Sequence, residues 1–355
     1  MKRRDLAFLM PFMALAPMEY ARAAIKKGAL PGCEGTPAAP APYIRASELV
    51  LDLLGHSLLP AANAFAQHSH TLHEHLRTRP WADCRAAWVN SMLAWETLSA
   101  VPVDALLERR SARTVDFWPT RPAQIQVLLD AGTTRFDSPQ ALQTIGASAK
   151  GLPALEWLLF RNDGSAPQPA LAVALAEQVL LEARTLEQAY TALHQTTWDE
   201  ADAWSAYGNW FGQAVGSLEQ LRLKKLKANT RGKDSAIWVR GVSGQTRAAW
   251  QAQARALQAF FTGPLDSAPG SACHAALPLP GTLHSLLLGR RYPREAERLQ
   301  VLTRAMVQAL HQARPENTAS LQRAQQSLAG LHRYVSDLGS ELFDFSLGFT
   351  DADGD

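Results

Sequence analysis

The chain has 355 residues, of which 47% are hydrophobic and 19% charged, enough apolar material for buried cores in about two globular domains. Its 35 Lys and Arg against 33 Asp and Glu give a formal net charge of +2. Binding to nucleic acid depends on an excess of basic side chains facing the phosphates, so we expect no nucleic-acid partner. Ala and Leu are abundant whereas Ile occurs only five times, a composition that favours helices over strands.

The first residues have the layout of a secretory signal peptide. Basic residues at 2–4 precede a mostly apolar stretch at 6–18, and small residues at 21 and 23 form a cleavage site. We therefore predict a signal peptide over residues 1–23, an exposed linker over residues 24–44, and a periplasmic mature chain. The apolar stretch is too short to span a membrane, and we expect no transmembrane segment in the mature chain.

The three cysteines, Cys33, Cys84 and Cys273, allow at most one disulfide bridge, and their spacing does not identify the pair. No CxxC or CxxCH motif occurs, so a zinc ribbon, a thioredoxin-type site and c-type haem attachment are not supported. We do not expect lipidation at Cys33, because two lysines separate it from the apolar stretch.

After residue 45, apolar residues recur every three or four positions, which is the helical period. The clearest predicted helices lie near 81–95, 172–193, 204–221 and 321–345. Breaks rich in Pro and polar residues fall at 161–169 and 262–282. Long helices with one apolar face are typical of antiparallel bundles. We predict an all-α fold of two antiparallel four-helix-bundle domains packed side by side, one at 45–164 and the other at 165–355.

The segment 150–160 (KGLPALEWLLF) is the most unusual in the chain. Gly151 ends one element, and Pro153 suits the first turn of a new helix, where its missing N–H is not needed. The helix is apolar around most of its circumference, so Glu156 is expected to be buried. Either this acid only complements the helix dipole, or it requires a cation, a hydrogen-bond donor or a metal as its partner.

The same segment resembles the signature of the imelysin-like family, Gly-x-His-x-x-Glu followed by an aromatic residue and two leucines. Gly151 and Glu156 fall on this pattern, and Trp88 suits the family's early tryptophan helix. Three further stretches resemble family motifs in the same order along the chain. They are DFWP at 116–119, VSGQT at 242–246 and LGFTDADGD at 347–355.

The resemblance implies a periplasmic or lipoprotein location, two helical bundles and a metal-linked site between them. Its members include proteins of bacterial iron uptake, and the founding type was described as a metallopeptidase. The implied binding residues are Trp88, Trp118, Gly151, Pro153, Glu156, Arg240 and Ser243. The implied metal ligands are Glu156, Asp351, Asp353 and Asp355, with iron, zinc or calcium as the candidate ion.

The chain departs from the family at position 153, where proline replaces the signature histidine. A histidine three residues before Glu156 would give two metal ligands on one helix face, and proline cannot coordinate. We therefore favour a non-catalytic, exported binding protein of iron uptake over an enzyme. Two alternatives remain: a metal-dependent peptidase with a rebuilt ligand set, and a periplasmic scaffold. The expected partner is an outer-membrane receptor, a periplasmic iron-uptake component or, for the scaffold, a redox partner.

Three further expectations follow. Glu156 should lie at the junction of the two bundles with a cationic or hydrogen-bonding partner, and Arg240 is the candidate because the family places its Ser-Gly stretch nearby. The tail carboxylates should fold back towards Glu156.

The histidine-rich stretch from His68 to His75 should be a solvated helix face, with a weak transition-metal patch as the alternative.

Overall fold

A computed structural model of the protein describes residues 43–130, 145–161, 169–228, 238–263 and 281–345. In these ranges the segments with helical spacing of apolar residues form helices. Helices account for the regular structure in these ranges, and no strand occurs in them. The predicted all-α fold class is therefore confirmed. The predicted signal peptide, the tail with its aspartates, Cys33 and Cys273 lie outside the described residues. Cys84 is a buried free thiol.

The first helices form one continuous 33-residue rod over Ala46–Thr78. It consists of α1 (Ala46–Leu53), a wide π turn (Leu54–Leu58) and α2 (Leu59–Thr78). By length and hydropathy the rod could cross a membrane. In this fold its apolar face is instead buried. The α1 part packs against the helix Glu200–Gln220, and α2 packs against the helices Trp81–Leu98 and Pro169–His194. The absence of a transmembrane segment from the mature chain stays a prediction.

The helix α3 (Trp81–Leu98) forms a hairpin with α2, and both contribute apolar residues to the same core. Further helices pack on this hairpin or on its neighbours, and short ones connect them. They are α4 (Ala105–Glu108), α5 (Ser111–Val115), α6 (Pro122–Asp130), a 3₁₀ turn (Ala147–Ala149), α7 (Gly151–Phe160) and α8 (Pro169–His194).

The remaining helices pack chiefly on one another. The helix Thr246–Phe261 also contacts α3, and the helix Glu200–Gln220 contacts α1. The remaining elements are α9 (Glu200–Gln220), a π turn (Leu221–Lys225), α10 (Thr246–Phe261), α11 (Leu283–Gly289), α12 (Pro293–Gln312) and α13 (Thr318–Leu342). Side chains of Asp199, Thr282 and Asn317 cap α9, α11 and α13 by accepting a backbone N–H of the first turn, which satisfies a donor that the helix leaves free.

Six aromatic residues of α9, α10 and the end of α13 form an aromatic cluster. They are Trp204, Tyr207, Phe211, Phe260, Phe343 and Phe345. Two glycines leave room for these rings. A Cβ at Gly208 would lie 2.9 Å from the Phe345 ring, and one at Gly339 would lie 2.6 Å from the Phe211 ring.

By its contacts the chain divides into two units. One comprises Met1–Ala39 and Ser267–Ala276 and lies outside the described residues; the other, Pro40–Asp266 with Leu277–Asp355, contains all of them. Within the latter, α2 packs on α8 and α1 packs on α9. The predicted division into bundles at residues 45–164 and 165–355 stays a prediction.

Candidate functional site

Five polar residues from five places in the chain come together, and we call them the buried charge network: Glu96, Asp116, Lys225, Arg240 and Gln253. Glu96, near the end of α3, is fully buried. Its carboxylate accepts hydrogen bonds from Arg240 (Nε at 3.1 Å and Nη2 at 2.9 Å), from Lys225 Nζ at 2.8 Å and from the Gln253 amide. A buried carboxylate thus has donors on both oxygens, as its burial requires.

Asp116, directly after α5, is the second acid of the network. Its Oδ1 lies 2.7 Å from Nη2 of the fully buried Arg240 as an ion pair. Its Oδ2 accepts a hydrogen bond from Trp95 Nε1 at 2.9 Å. Arg240 therefore bridges the two acids, which separates two like charges that would otherwise repel each other.

Burial and charge act in opposite directions on these groups. Burial by itself would raise the pKa of Glu96, but the charges of Lys225 and Arg240 hold that pKa well below its usual range. For Asp116, burial outweighs the attraction to Arg240, and its pKa is raised. Burial disfavours the charge on Arg240, yet the neighbouring carboxylates raise its pKa further and keep it protonated. Glu96 is thus the firmly ionised acid of the pair.

Local backbone geometry brings the two cations to this point. The π turn Leu221–Lys225 widens the end of α9, and Lys225 from this turn reaches Glu96. Arg240 has a positive φ of 61°, which is uncommon for a residue with a side chain. It sits in a tight turn closed by hydrogen bonds from Gln245 N to Arg240 O and from Thr246 Oγ1 to Val239 O. The turn thus carries both Arg240, which bonds Glu96, and Ser243, which bonds Glu156.

Glu156 lies next to the network and is only 2% exposed. One of its oxygens, Oε1, accepts hydrogen bonds from the Ser243 backbone N–H at 2.9 Å and from the Ser243 hydroxyl at 2.6 Å. Burial raises the pKa of Glu156, although the nearby Arg240 charge and the two Ser243 bonds oppose this. Glu156 therefore has the buried, hydrogen-bonded environment expected from the sequence, with Ser243 as its partner.

Arg240 makes no direct hydrogen bond or ion pair to Glu156 among the described residues, and its guanidinium bonds Glu96 and Asp116 instead. The Ser243 hydroxyl lies 3.2 Å from the carbonyl oxygen of Arg240 and connects the two residues through the turn. The expected direct pair of Glu156 and Arg240 therefore does not form. The two residues interact only through the electrostatic attraction between their nearby charges.

The sequence motifs give no role to Glu96, Lys225 or Gln253, and they include Asp116 only as the first residue of DFWP at 116–119. A signal for Glu96 was present. It follows Trp88 and Met92 on α3 at successive intervals of four residues, so it lies on the apolar stripe. No comparable periodic signal marks Lys225, because it belongs to the π turn.

The other predicted residues hold the helices around Glu156 in place. Trp88 is buried and donates its indole N–H to the carbonyl oxygen of Leu152 at 3.0 Å, which joins α3 to α7. Gly151 has a φ of 74°, and a Cβ there would lie 2.3 Å from the carbonyl oxygen of Val115. Only glycine tolerates both conditions. Pro153 is buried in the first turn of α7.

A cavity of about 570 Å³ borders the network. Asp116, Lys225 and Gln253 reach its wall, and Trp118 lies on it as well. This size falls in the range of small-molecule sites, which combine apolar walls with a few placed polar groups. Trp118 is therefore brought to the same region as the network, whereas Trp88 serves the packing of α3 and α7.

The residues described here do not fit a bare metal ion. Glu156 has its Oε1 occupied by Ser243, and the carboxylates of Glu96 and Asp116 are held by cations and N–H donors. Within the described ranges, no group of three or more His, Cys, Asp or Glu residues is arranged to hold a metal. Asp351, Asp353 and Asp355 lie outside those ranges. Their role as ligands, and the folding of the tail towards Glu156, stay predictions.

The histidine-rich stretch lies on α2. His70 is exposed, and His73 is partly buried 3.5 Å from Glu74. Burial lowers the pKa of His73, so this imidazole is predominantly neutral at pH 7. The described histidines form no three-ligand metal group.

Comparison with known proteins identifies the family of this chain. The imelysin (peptidase M75) family model matches residues 56–333. An imelysin-like protein from Psychrobacter arcticum 273-4 superposes with a TM-score of 0.65 at 17% identity, covering 88% of this chain and 100% of its own. A proposed iron-regulated protein A precursor from Parabacteroides distasonis gives 0.67 at 13% identity, covering 85% and 95%. No curated protein is similar enough in sequence to match. The chain belongs to the imelysin family.

Proposed function

We propose that this protein is an exported, non-catalytic binding component linked to bacterial iron uptake. Membership of the imelysin family supports the proposal, as does the similarity in fold to a protein described as iron-regulated. The signal-peptide pattern at residues 1–23 supports a periplasmic location. The expected partner is an outer-membrane receptor or another periplasmic component of iron uptake.

The observation that carries the non-catalytic part is the state of the three acids at the site. A peptidase of the metal type requires an open metal position and a carboxylate free to take a proton from water. Glu156 is held by Ser243, Glu96 by Arg240, Lys225 and Gln253, and Asp116 by Trp95 and Arg240. Their donors are side chains and backbone of the protein itself, an arrangement suited to structure and to electrostatic tuning of the cavity.

The residue three positions before Glu156 also supports a non-catalytic role. Proline at 153 offers no ligand to a metal, and it is buried in the first turn of α7. The cavity beside the network provides what a binding protein needs: a concave surface with aromatic and polar walls.

The experiment that tests the non-catalytic part is incubation of the purified mature protein with a peptide library, with and without added zinc, followed by mass spectrometry of the products. We expect no metal-dependent cleavage. Cleavage that requires zinc and is abolished by Glu156→Ala would overturn the proposal and establish a peptidase with a rebuilt ligand set.

Cell-based measurements test the iron and export parts. Deleting the gene in its native host should slow growth under iron limitation and leave growth in iron-replete medium unchanged. The protein should be recovered in the periplasmic fraction. Growth that does not depend on the gene at low iron, or recovery in the cytoplasm, would contradict the corresponding part.

A further inference from the structure

A group of basic residues lies on and beside α5, and we call Arg109, Arg110, Arg113 and Lys150 the basic cluster. They line a second cavity of about 310 Å³ together with Thr114 and Ala147. Arg109 is neutralised within the protein. Its Nε and Nη2 donate to the Glu182 carboxylate at 2.9 and 2.8 Å, and Ser111 donates to the same group at 2.6 Å. The Arg109 guanidinium therefore already has a carboxylate partner within the protein.

Among the described residues, the other three members have no such partner. Across the part of the chain that the structure describes, no carboxylate lies within ion-pair distance of Arg110, Arg113 or Lys150. Burial and the nearby charge of Arg113 both lower the pKa of Lys150. Arg110 and Arg113 are exposed and Lys150 is partly buried. The protein therefore holds three basic side chains around one cavity, and an anion entering the cavity would be attracted by all three charges.

Arg110 and Arg113 also line the larger cavity beside the buried charge network. On that side the wall includes the apolar or aromatic residues Leu106, Phe117 and Trp118. The two arginines therefore line both the small basic cavity and the larger, partly apolar cavity.

We propose that the basic cluster is a binding site for a small organic anion, with an oxyanion group held by Arg110, Arg113 and Lys150. The planar guanidinium fork matches the two oxygens of a carboxylate or phosphate, and the lysine adds a point charge. The body of the ligand extends into the larger cavity against Phe117 and Trp118.

This inference deepens the proposed binding function and rests on it for the biological use of the site. Side chains that attract anions do not suit a bare cation. If the protein handles iron at this site, the metal arrives inside a negatively charged chelate, and it is the acid groups of the chelator that the protein contacts.

Isothermal titration calorimetry on the full mature protein tests the site with three probes: iron-free citrate, the ferric citrate complex and inorganic phosphate. We expect citrate to bind, more weakly at high salt because the contact is electrostatic, and more tightly than phosphate because phosphate lacks an organic body. The absence of citrate binding would overturn the proposal. Phosphate binding as tightly as citrate would overturn the assignment to an organic anion.

Variants locate the site. Arg113→Ala and Lys150→Ala should each weaken citrate binding by about tenfold, the equivalent of one strong charge-assisted hydrogen bond. Arg113→Lys should recover part of the loss, since it keeps the charge without the fork. Arg304→Ala removes an exposed arginine of α12 and should bind like wild type. Thermal melting of each variant verifies folding, and folded variants with unchanged affinity would contradict the proposed site.

The two proposals fail separately in this experiment. Equal affinity for iron-free and ferric citrate, abolished in both cases by Arg113→Ala, would establish the anion site while counting against its use in iron uptake. Preferential binding of the ferric complex would support both.

Discussion

The buried charge network and the aromatic cluster both lie in the interior, but different interactions hold them together. In the network, Arg240, Glu96 and Asp116 are held by directional bonds between charged groups. In the aromatic cluster, Phe345 lies with its ring centroid 4.9 Å from that of Trp204 and 5.4 Å from that of Phe211. There the stabilisation comes from burying apolar area and from ring contacts.

The two regions contribute differently to the free energy of unfolding. Burying the charges of an ion-pair network costs desolvation free energy, so the network adds little net stability. Removing one member, however, leaves the remaining charges buried without a partner, which is strongly destabilising. A cluster of rings loses stability in proportion to the volume removed, whatever the pH. Substitutions in the two regions should therefore differ both in size and in their response to pH.

The largest effect should come from Arg240→Met in the network. The variant leaves the buried Glu96 and Asp116 without their shared cation and should lower the free energy of unfolding by about 4 kcal/mol at pH 7. Urea denaturation followed by circular dichroism measures this. Arg304→Met, at an exposed position, is the matched control and should change the value by less than about 0.5 kcal/mol.

A double variant sharpens this measurement. Combining Arg240→Met with Glu96→Gln removes a charge from each side, so its cost should be smaller than the sum of the two single costs. Strict additivity would show that the two residues do not interact.

In the aromatic cluster, Phe211→Ala should lower the free energy of unfolding by about 3 kcal/mol, because it removes a fully buried ring and leaves a cavity. The loss should be the same at pH 5 and pH 8, as no ionisable group is involved. Val301→Ala, which truncates an exposed residue of α12, should cost less than about 0.5 kcal/mol. A strongly pH-dependent loss for Phe211→Ala would contradict the separation of the two regions.

The pH response distinguishes two acids of the site, and Glu156→Gln tests it. Because burial raises the pKa of folded Glu156 above its unfolded value, its contribution to stability is present below about pH 4.5 and is lost as the pH rises through the folded pKa. The amide keeps an acceptor for Ser243, so the variant should cost less than about 1 kcal/mol at pH 7.

Relative to wild type, Glu156→Gln should become more stable as the pH rises from 4 to 7. Glu96 has the opposite sign, since its pKa is lowered. Its contribution is present above its unfolded pKa and is lost as the pH falls towards the folded value. Chemical denaturation at a series of pH values measures both, and parallel profiles for Glu156→Gln and Glu96→Gln would show that our assignment of the two acids is wrong.

The smallest effect is expected for Tyr207→Phe in the aromatic cluster. The Tyr207 hydroxyl is buried, and none of the described residues bonds to it. Removing an unbonded buried hydroxyl should raise the free energy of unfolding by about 0.5 kcal/mol. A loss of more than about 1 kcal/mol in urea denaturation would reveal a hydrogen bond to this hydroxyl.

Local pattern predicted much of this molecule. The three- and four-residue spacing gave the helix class. The helix start expected at Pro153, with Gly151 ending the preceding element, lies two residues late, because Gly151 is itself the first residue of α7. The apolar surroundings of Glu156 in the sequence were enough to predict its burial, since that depends on residues within one helix. They left open whether the acid needs a partner or only complements the helix dipole.

The partners of Arg240 could not be predicted in the same way. Arg240 is adjacent in sequence to the Ser243 stretch, which pointed to Glu156. The guanidinium instead reaches Glu96, 144 positions away along the chain. That choice depends on how α3 and α10 approach each other and on the π turn that delivers Lys225. Neither has a periodic signature, because both are set by packing between distant segments.

The contact between Gly151 and Val115 has a consequence for how the protein tolerates change. Val115 lies between Arg113 of the basic cluster and Asp116 of the network. Gly151 follows Lys150 and is the first residue of the helix that carries Glu156. One close approach of two backbones thus sets the spacing of both sites. In a library of random substitutions, position 151 should accept no side chain, and its variants should lose citrate binding and core stability together rather than one at a time.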